Sequence, residues 1–117
     1  MANTITLNTA DRVGNQQFQG LYNDMWRVKA TVTDHDAVAI SDTAVLTITV
    51  PGVALGDHVI AYGLTMDQND GTDQAVITFA VTAADTVSMF IHADAGEFAA
   101  DAITGAVAKI LVGRPSW

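Results

Sequence analysis

The segment VPGVALGDHVIAYG at positions 50–63 places an aspartate beside a histidine, a combination found in catalytic and metal sites. Pro51-Gly52 indicates a turn after the strand that ends at Val50, and Gly56-Asp57 opens the next strand. Adjacent strand residues project to opposite faces. We therefore expect no side-chain pair between these two residues and a shared face for His58, Ile60 and Tyr62. The segment is interpreted as a strand end, a turn and a new strand.

The best candidate for a metal site is the loop MDQNDGTD at 66–73, which offers the carboxylate and amide oxygens that calcium prefers. With Asp67 as the first ligand, both the glycine and the glutamate that an EF-hand requires are replaced by threonine. Asn69-Asp70-Gly71 between two alternating runs is a hairpin signal. A solvated hairpin without metal is therefore the favoured interpretation, and calcium at Asp67–Asp73 is the alternative.

Two further histidines have acidic neighbours. His35 lies between Asp34 and Asp36, and His92 precedes Asp94. On a strand, Asp34 and Asp36 would lie on the face opposite to His35, so the three side chains could not converge on one metal ion without a bend. We therefore expect a turn with solvated charges at 34–36. Neither histidine has further ligands at the spacing of a zinc site.

Covalent and glycosidic catalysis find little support in the sequence. Ser41, Ser88 and Ser116 lack the glycine context of a nucleophile elbow. Glu97 is the only glutamate, and most of the twelve aspartates fall in predicted turns, where they stay ionised. We expect no catalytic residue, no metal ligand and no cofactor, and therefore no enzyme.

The elements that would position these residues are short strands. From Met25 the hydrophobic period becomes two, with Trp26, Val28 and Val32 on one face. At most one helical turn is expected at 97–103. Further strands are predicted at 38–40, 43–50, 57–62, 75–82, 86–92 and 106–112. This pattern indicates an all-β protein, an antiparallel β-sandwich that is jelly-roll-like, with an immunoglobulin-like sandwich and an open barrel as alternatives.

The chain divides into three parts. Residues 1–24 are polar, with one short alternating run at 4–7, and are predicted to form an extended N-terminal arm; 25–113 form the β-sandwich domain and 114–117 a C-terminal tail. Phe18 and Tyr22 in the arm pack either on their own domain or on a neighbouring subunit.

Charge limits the partners. Thirteen acids oppose five bases, for a net charge of −8, and only Arg27 and Lys29 are expected to share a strand face. Nucleic-acid binding needs clustered cations and is not expected. No apolar run approaches the roughly 20 residues of a membrane helix, so no membrane partner is expected. Only 15% of residues are charged, which is typical of a surface partly covered in an assembly.

Three segments in order, TITVPGVALGDHVI (47–60), VTAADTVSMFI (81–91) and DAITGAVAKILV (101–112), resemble small virion structural proteins of tailed bacteriophages. The resemblance covers roughly residues 43–113. It implies a capsid decoration (cement) protein on the outer capsid surface of the virion, with the major capsid protein as partner. A homo-oligomer, trimer or dimer, would suit the symmetry axes of a shell. The alternative is a tail- or fibre-associated module that binds a host glycan through Trp26 or Tyr62.

Aromatic and basic residues near the chain ends are the predicted contacts. Trp117 is terminal, and tryptophan is enriched at interface hot spots; the alternative is a tail folded back on its own domain. Arg114 could pair with acidic capsid groups. The predicted interface set, for capsid or oligomer, is Phe18, Tyr22, Arg114 and Trp117.

Overall fold

Seven β-strands make up the regular structure in the computed structural model, which describes residues 3–13, 20–65, 75–94, 96–100 and 102–117. These described parts contain no helix, and none therefore that could span a membrane. The protein is all-β, as predicted. The strands are β1 (Thr4–Val13), β2 (Tyr22–Asp34), β3 (Thr43–Thr49), β4 (His58–Thr65), β5 (Ala75–Ala83), β6 (Thr86–Ala93) and β7 (Val107–Pro115).

The strands form two antiparallel sheets. The larger has the order β1-β2-β7-β4, and the smaller has the order β3-β6-β5. Only β1–β2 and β5–β6 are neighbours both in sequence and in a sheet; every other connection passes from one sheet to the other. The larger sheet is therefore assembled from both ends of the chain, with β7 lying between β2 and β4.

One hydrophobic core draws on both sheets. The predicted inward faces are confirmed: Trp26 and Val28 of β2 and Leu46 and Ile48 of β3 are each 3% exposed or less. Val87, Met89 and Ile91 of β6 and Ala108, Ile110 and Val112 of β7 complete the same cluster.

Charge is distributed unevenly between the sheets. The strands β3, β5 and β6 contain no Asp, Glu, Lys or Arg, and their outward positions are mainly threonine, with valine and alanine and with Ser88, Phe90 and His92 of β6. All five basic residues of the chain belong to β1, β2 and β7 of the larger sheet. The strands of the smaller sheet thus present no such charge outward, whereas Arg27, Lys29 and Lys109 lie on the outer face of the larger sheet.

The N-terminal segment differs from its prediction. The strand predicted at 4–7 extends to Val13, and β1 pairs along β2 from Thr4↔Asp34 to Val13↔Met25. Ile5 is 8% exposed and joins the core. Polar residues continue the strand because β1 lies at the edge of its sheet and only Ile5 is buried, so most of its other positions remain in contact with water.

Strand β4 also departs from the simple alternation. His58 pairs with Gly113, but a register shift between Val59 and Ala61 brings Tyr62 opposite Ile110, a core residue. The prediction that His58, Ile60 and Tyr62 share a face is therefore wrong for Tyr62, because the bulge reverses the facing of the residues after it.

The segment 34–36 is not a fully solvated turn. His35 is 0% exposed, and its ring stacks on Phe98 at a centroid distance of 5.6 Å. Its Nε2 accepts a hydrogen bond from the Ile103 amide at 3.2 Å, and Nδ1 lies 3.0 Å from the Asp36 carbonyl oxygen. A neutral ring protonated at Nδ1 satisfies both contacts. His35 therefore fastens the 96–106 connection, whose described residues form turns and a bridge from Phe98 to Val38, not a helical turn.

Candidate functional site

Arg114 and Asp57 form the central contact at one end of the larger sheet. The Arg114 Nε donates to Asp57 Oδ1 at 3.0 Å, and an Nη2–H donates to Oδ2 at 3.0 Å. Arg114 Nη2 also donates to the Gly52 carbonyl oxygen at 2.9 Å, while the Ala54 amide donates to Asp57 Oδ2 at 2.8 Å. Asp57 is thus a structural carboxylate, bound by an arginine and a turn amide and not by His58.

A second acid shares this arginine. Asp24 lies 2.6 Å from Arg12 and 3.9 Å from Arg114, measured between carboxylate oxygen and guanidinium nitrogen. Hydrogen bonding to Arg12, with the positive charges of both arginines, holds the pKa of Asp24 below its usual value against the opposing effect of partial burial. Both guanidinium groups also approach the Trp26 ring, at 5.8 Å for Arg12 and 5.2 Å for Arg114. The two arginines therefore close the end of the core over a buried aromatic ring.

Beside these ion pairs lies an aromatic cluster, defined as Tyr22, His58 and Trp117. The ring centroids are 5.8 Å apart for Tyr22–Trp117, 5.8 Å for His58–Trp117 and 6.1 Å for Tyr22–His58. Each pair has the tilted or edge-on geometry that aromatic rings prefer. The cluster joins the starts of β2 and β4 to the end of the chain.

Gly113 makes room for this cluster. A Cβ added at Gly113 would lie 2.7 Å from Cδ1 of Tyr22 and 2.6 Å from Cδ1 of Ile60. Any side chain here would displace the Tyr22 ring.

The tail that carries Trp117 is anchored by its neighbour. Ser116 donates its amide to the Leu21 carbonyl oxygen and its hydroxyl to the Gly20 carbonyl oxygen, both at 2.8 Å. Trp117 nevertheless remains 74% exposed. The tail thus folds back on its own domain while presenting most of its indole to solvent.

Two exposed leucines lie in the segments that bind the tail and Arg114. Leu21 is 52% exposed next to the tail, and Leu55, in the turn before Asp57, is 71% exposed. The aromatic cluster and these two leucines make up what we call the terminal apolar surface. Large apolar side chains held in place but left in water are typical of a surface that another molecule covers.

The predicted interface residues have different surroundings. Tyr22 and Trp117 come together in the aromatic cluster, and Arg114 lies close by, bound to Asp57 within the chain. Phe18 lies outside the described residues, as does the calcium candidate loop Asp67–Asp73. Within the described ranges, no group of three His, Cys, Asp or Glu side chains is placed to hold a metal ion.

The sequence predicted that Lys29 and Lys109 both face outward, but it did not predict that they are neighbours. In the sheet these two residues are directly opposite each other on β7 and β2. The periodicity predicts which side chains of a strand point inward and which point outward. It does not predict which strands pair, and here the pairing joins residues eighty positions apart.

The chain was compared with protein-family models, with curated proteins and with solved structures, and none of them matches it.

Proposed function

We propose that this chain is a virion structural protein that binds the outside of a phage capsid and stabilises the shell as a decoration protein. The single observation that carries the proposal is the terminal apolar surface, with Trp117 anchored by its neighbours yet 74% exposed. The ordered resemblance of segments 47–60, 81–91 and 101–112 to phage virion proteins supplies the class of partner. A protein that binds only the assembled shell stabilises it by its binding free energy.

The composition of the surface supports a protein partner. Trp, Tyr and Arg are the residue types enriched at interface hot spots, and Trp117 and Tyr22 lie in contact beside Arg114. The anchored tail has already lost much of its conformational entropy, so binding would cost less ordering than a free tail. In this proposal Arg114 acts mainly by holding the surface, because Asp57 and Gly52 already occupy its guanidinium.

We further propose the jelly-roll-like sandwich as the architecture. In a jelly roll an antiparallel ribbon is wrapped so that outer and inner strand pairs fall in alternate sheets. The pairs β2–β7 and β3–β6 are nested in this way, one pair in each sheet. An immunoglobulin constant domain instead has its last strand in the sheet of its third and sixth strands, whereas β7 lies with β1 and β2.

A homo-oligomer, dimer or trimer, is part of the proposal. Copies with a net charge of −8 repel one another. The strands β3, β6 and β5 contain no Asp, Glu, Lys or Arg, so two copies could pack through the outer face of this sheet without bringing like charges together. Val45 and Val76 on that face are 44% and 53% exposed. Light scattering on purified protein should give two or three chains per particle, and Val45→Asp should shift it to one; a monomeric parent protein would exclude this part.

The glycan-binding alternative is less well supported. Trp26 is 3% exposed and lies in the core. The Tyr62 ring packs 4.8 Å from Phe79, and its hydroxyl donates to the Ile77 carbonyl oxygen at 3.2 Å. Trp26 therefore offers no surface to a sugar, and Tyr62, although 46% exposed, has its ring against Phe79 and its hydroxyl engaged.

The decisive experiment is the copy number of this chain in purified virions of the phage that encodes it, measured against the major capsid protein. A ratio near one chain per capsid subunit is expected. A few copies per hundred subunits would move the protein to the tail, and absence from the virion would overturn the proposal altogether.

A further inference from the structure

We propose that the outer face of the larger sheet holds a second binding site, a groove that takes an extended acidic segment of a partner polypeptide. The groove has a volume of about 560 Å³ and crosses all four strands. Its lining includes Arg27, Lys29, Lys109, Leu111, Ala61 and Gly63. We call it the basic groove.

Three of the five cations of the chain meet in this groove. Lys29 and Lys109 are directly opposite each other on neighbouring strands, and Arg27 lies two residues along the same face of β2. The row that crosses the sheet at this level reads Thr9, Lys29, Lys109 and Gly63, without an acid. Because the protein as a whole has a net charge of −8, this cluster of three cations gives the groove a charge opposite to that of the rest of the molecule.

Among the residues that the structure describes, the two lysines have no counter-charge. Asp11 is the one acid among the described residues that line the groove, and it is bound to Arg27 at 3.2 Å. Neither Lys29 nor Lys109 forms an ion pair or a side-chain hydrogen bond within the parts of the chain that the structure describes. Like charges directly opposite each other destabilise a sheet. A carboxylate placed between the two ammonium groups would remove that repulsion.

The floor of the groove suits a polypeptide. Ala61 and Gly63 are small, and a Cβ built at Gly63 meets nothing within 4 Å, so the edge over β4 is open. Leu111 adds apolar surface beside Arg27. An extended chain with an acid at every second residue spaces its carboxylates by roughly 7 Å on one face, which allows successive acids to reach the lysine pair and Arg27.

Charge and chemistry favour a peptide over other polyanions. Three cations are few for a nucleic-acid backbone, whose binding needs a longer track of clustered lysines and arginines. Tyr62 is the one aromatic residue among the described residues of the lining, and its ring and hydroxyl are engaged with Phe79 and Ile77, which disfavours stacking on a base or a sugar.

The test measures fluorescence anisotropy of a labelled octaglutamate peptide with the full chain at low salt. Octaglutamine, an oligothymidylate and a sulfated oligosaccharide serve as comparison probes. Binding of octaglutamate, weakened by salt and absent for octaglutamine, is expected. No binding of octaglutamate, or tighter binding of either other polyanion, would overturn the proposal.

Variants locate the site. Lys29→Gln with Lys109→Gln removes the charge pair and should weaken octaglutamate binding about tenfold, a factor that corresponds to about 1.4 kcal/mol. Gly63→Phe retains every charge but fills the open edge, and should weaken binding similarly. The matched control, Ala37→Asp with Ala99→Asp at exposed positions outside the strands and the groove, lowers the net charge by the same two units and should bind like the parent protein.

These variants also separate this site from the terminal apolar surface. Trp117→Ala should leave octaglutamate binding unchanged. Equal weakening by the control and the lysine variant would show that net charge alone is responsible, and would refute the groove as the site.

Discussion

Arg114 and Asp57 form a two-point ion pair between β7 and the residue that precedes β4, with both donor–acceptor distances at 3.0 Å. The Asp57 side chain is 3% exposed and that of Arg114 is 34% exposed. The pair links the last strand to the β3–β4 turn, because Arg114 also binds the Gly52 carbonyl oxygen and Asp57 binds the Ala54 amide. It therefore sets the geometry of the end on which the terminal apolar surface is built.

Removing the arginine should destabilise the fold. Arg114→Ala leaves a buried carboxylate without its counter-charge, and breaking such a pair costs roughly 3–5 kcal/mol when both partners are buried. Because Arg114 is one-third exposed, we expect about 2–3 kcal/mol, measured as the change in unfolding free energy in urea. Arg114→Lys keeps the charge without the two-point geometry and should lose less.

Arg12→Ala is the matched control for that measurement. The Arg12 side chain is 63% exposed, and exposed ion pairs contribute at most about 1 kcal/mol. Equal losses for Arg12→Ala and Arg114→Ala would contradict the distinction between a surface pair and a buried one.

Asp24 should give stability a defined dependence on acid pH. Its pKa is lowered in the folded protein, mainly by the hydrogen bond from Arg12. A lowered pKa stabilises the fold above the ordinary aspartate value of about 3.9, and this contribution is lost as pH falls through the folded pKa. Asp24→Asn should therefore cost up to about 1 kcal/mol at neutral pH and nothing at the lowest pH at which the protein still folds.

Urea unfolding of parent and variant across the acid range measures this difference. Asp11→Asn removes one negative charge from the neighbouring strand and controls for net charge. A gap between parent and Asp24→Asn that stays constant down to low pH would exclude the Asp24 contact as its origin.

Two strand glycines should respond in opposite ways to the same substitution. Gly113→Ala forces a methyl group against Tyr22 and Ile60, and overpacking of this kind costs about 1–3 kcal/mol. Gly63→Ala places the methyl group in open space and should be neutral or stabilising by up to about 1 kcal/mol, because glycine loses more conformational freedom on folding.

Thermal unfolding of both alanine variants provides the comparison, and near-ultraviolet circular dichroism reports the aromatic cluster. Gly113→Ala should alter the aromatic signal, whereas Gly63→Ala should not. If the two variants lose equal stability, the close approach of Tyr22 to Gly113 is not what makes glycine necessary there.

Local periodicity predicted the strands that form the core. In β2, β3, β6 and β7 the predicted inward positions are all apolar, and each inward face was found as expected, from Trp26 to Val112. In β4 the same rule failed, because a bulge between Val59 and Ala61 adds a residue and no letter in the segment indicates it. A bulge is a property of two paired strands, so one strand alone does not reveal it.

The candidate site was predictable only in part. Trp117 and Tyr22 were selected by residue type and position near the chain ends, and the fold brings them within 5.8 Å. The internal partner of Arg114 was missed because Asp57 lies 57 positions away in sequence. His35 was assigned to a solvated turn from its acidic neighbours, but Phe98 and the Ile103 amide, both distant in sequence, bury it. These errors share one cause, which is that contacts between strands and connections depend on topology.

Trp117 should contribute to particle binding and little to folding. Its side chain is 74% exposed, so Trp117→Ala should change the unfolding free energy by less than about 0.5 kcal/mol. Loss of an interface hot spot costs 2 kcal/mol or more, which corresponds to a decrease in affinity of roughly thirtyfold. Binding is measured by cosedimentation of purified chain with shells that lack it.

A single substitution is the better design here than a truncation. Deleting residues 1–20 would remove the edge strand β1 with its core residue Ile5, and deleting 114–117 would remove the partner of Asp57, so either truncation would disturb the fold. Ile40→Ala, at a 58% exposed position in the turn before β3 and outside both proposed contact surfaces, is the control and should retain binding to shells. If Trp117→Ala binds shells as tightly as the parent protein, the terminal apolar surface is not the capsid contact, whatever the copy number in the virion.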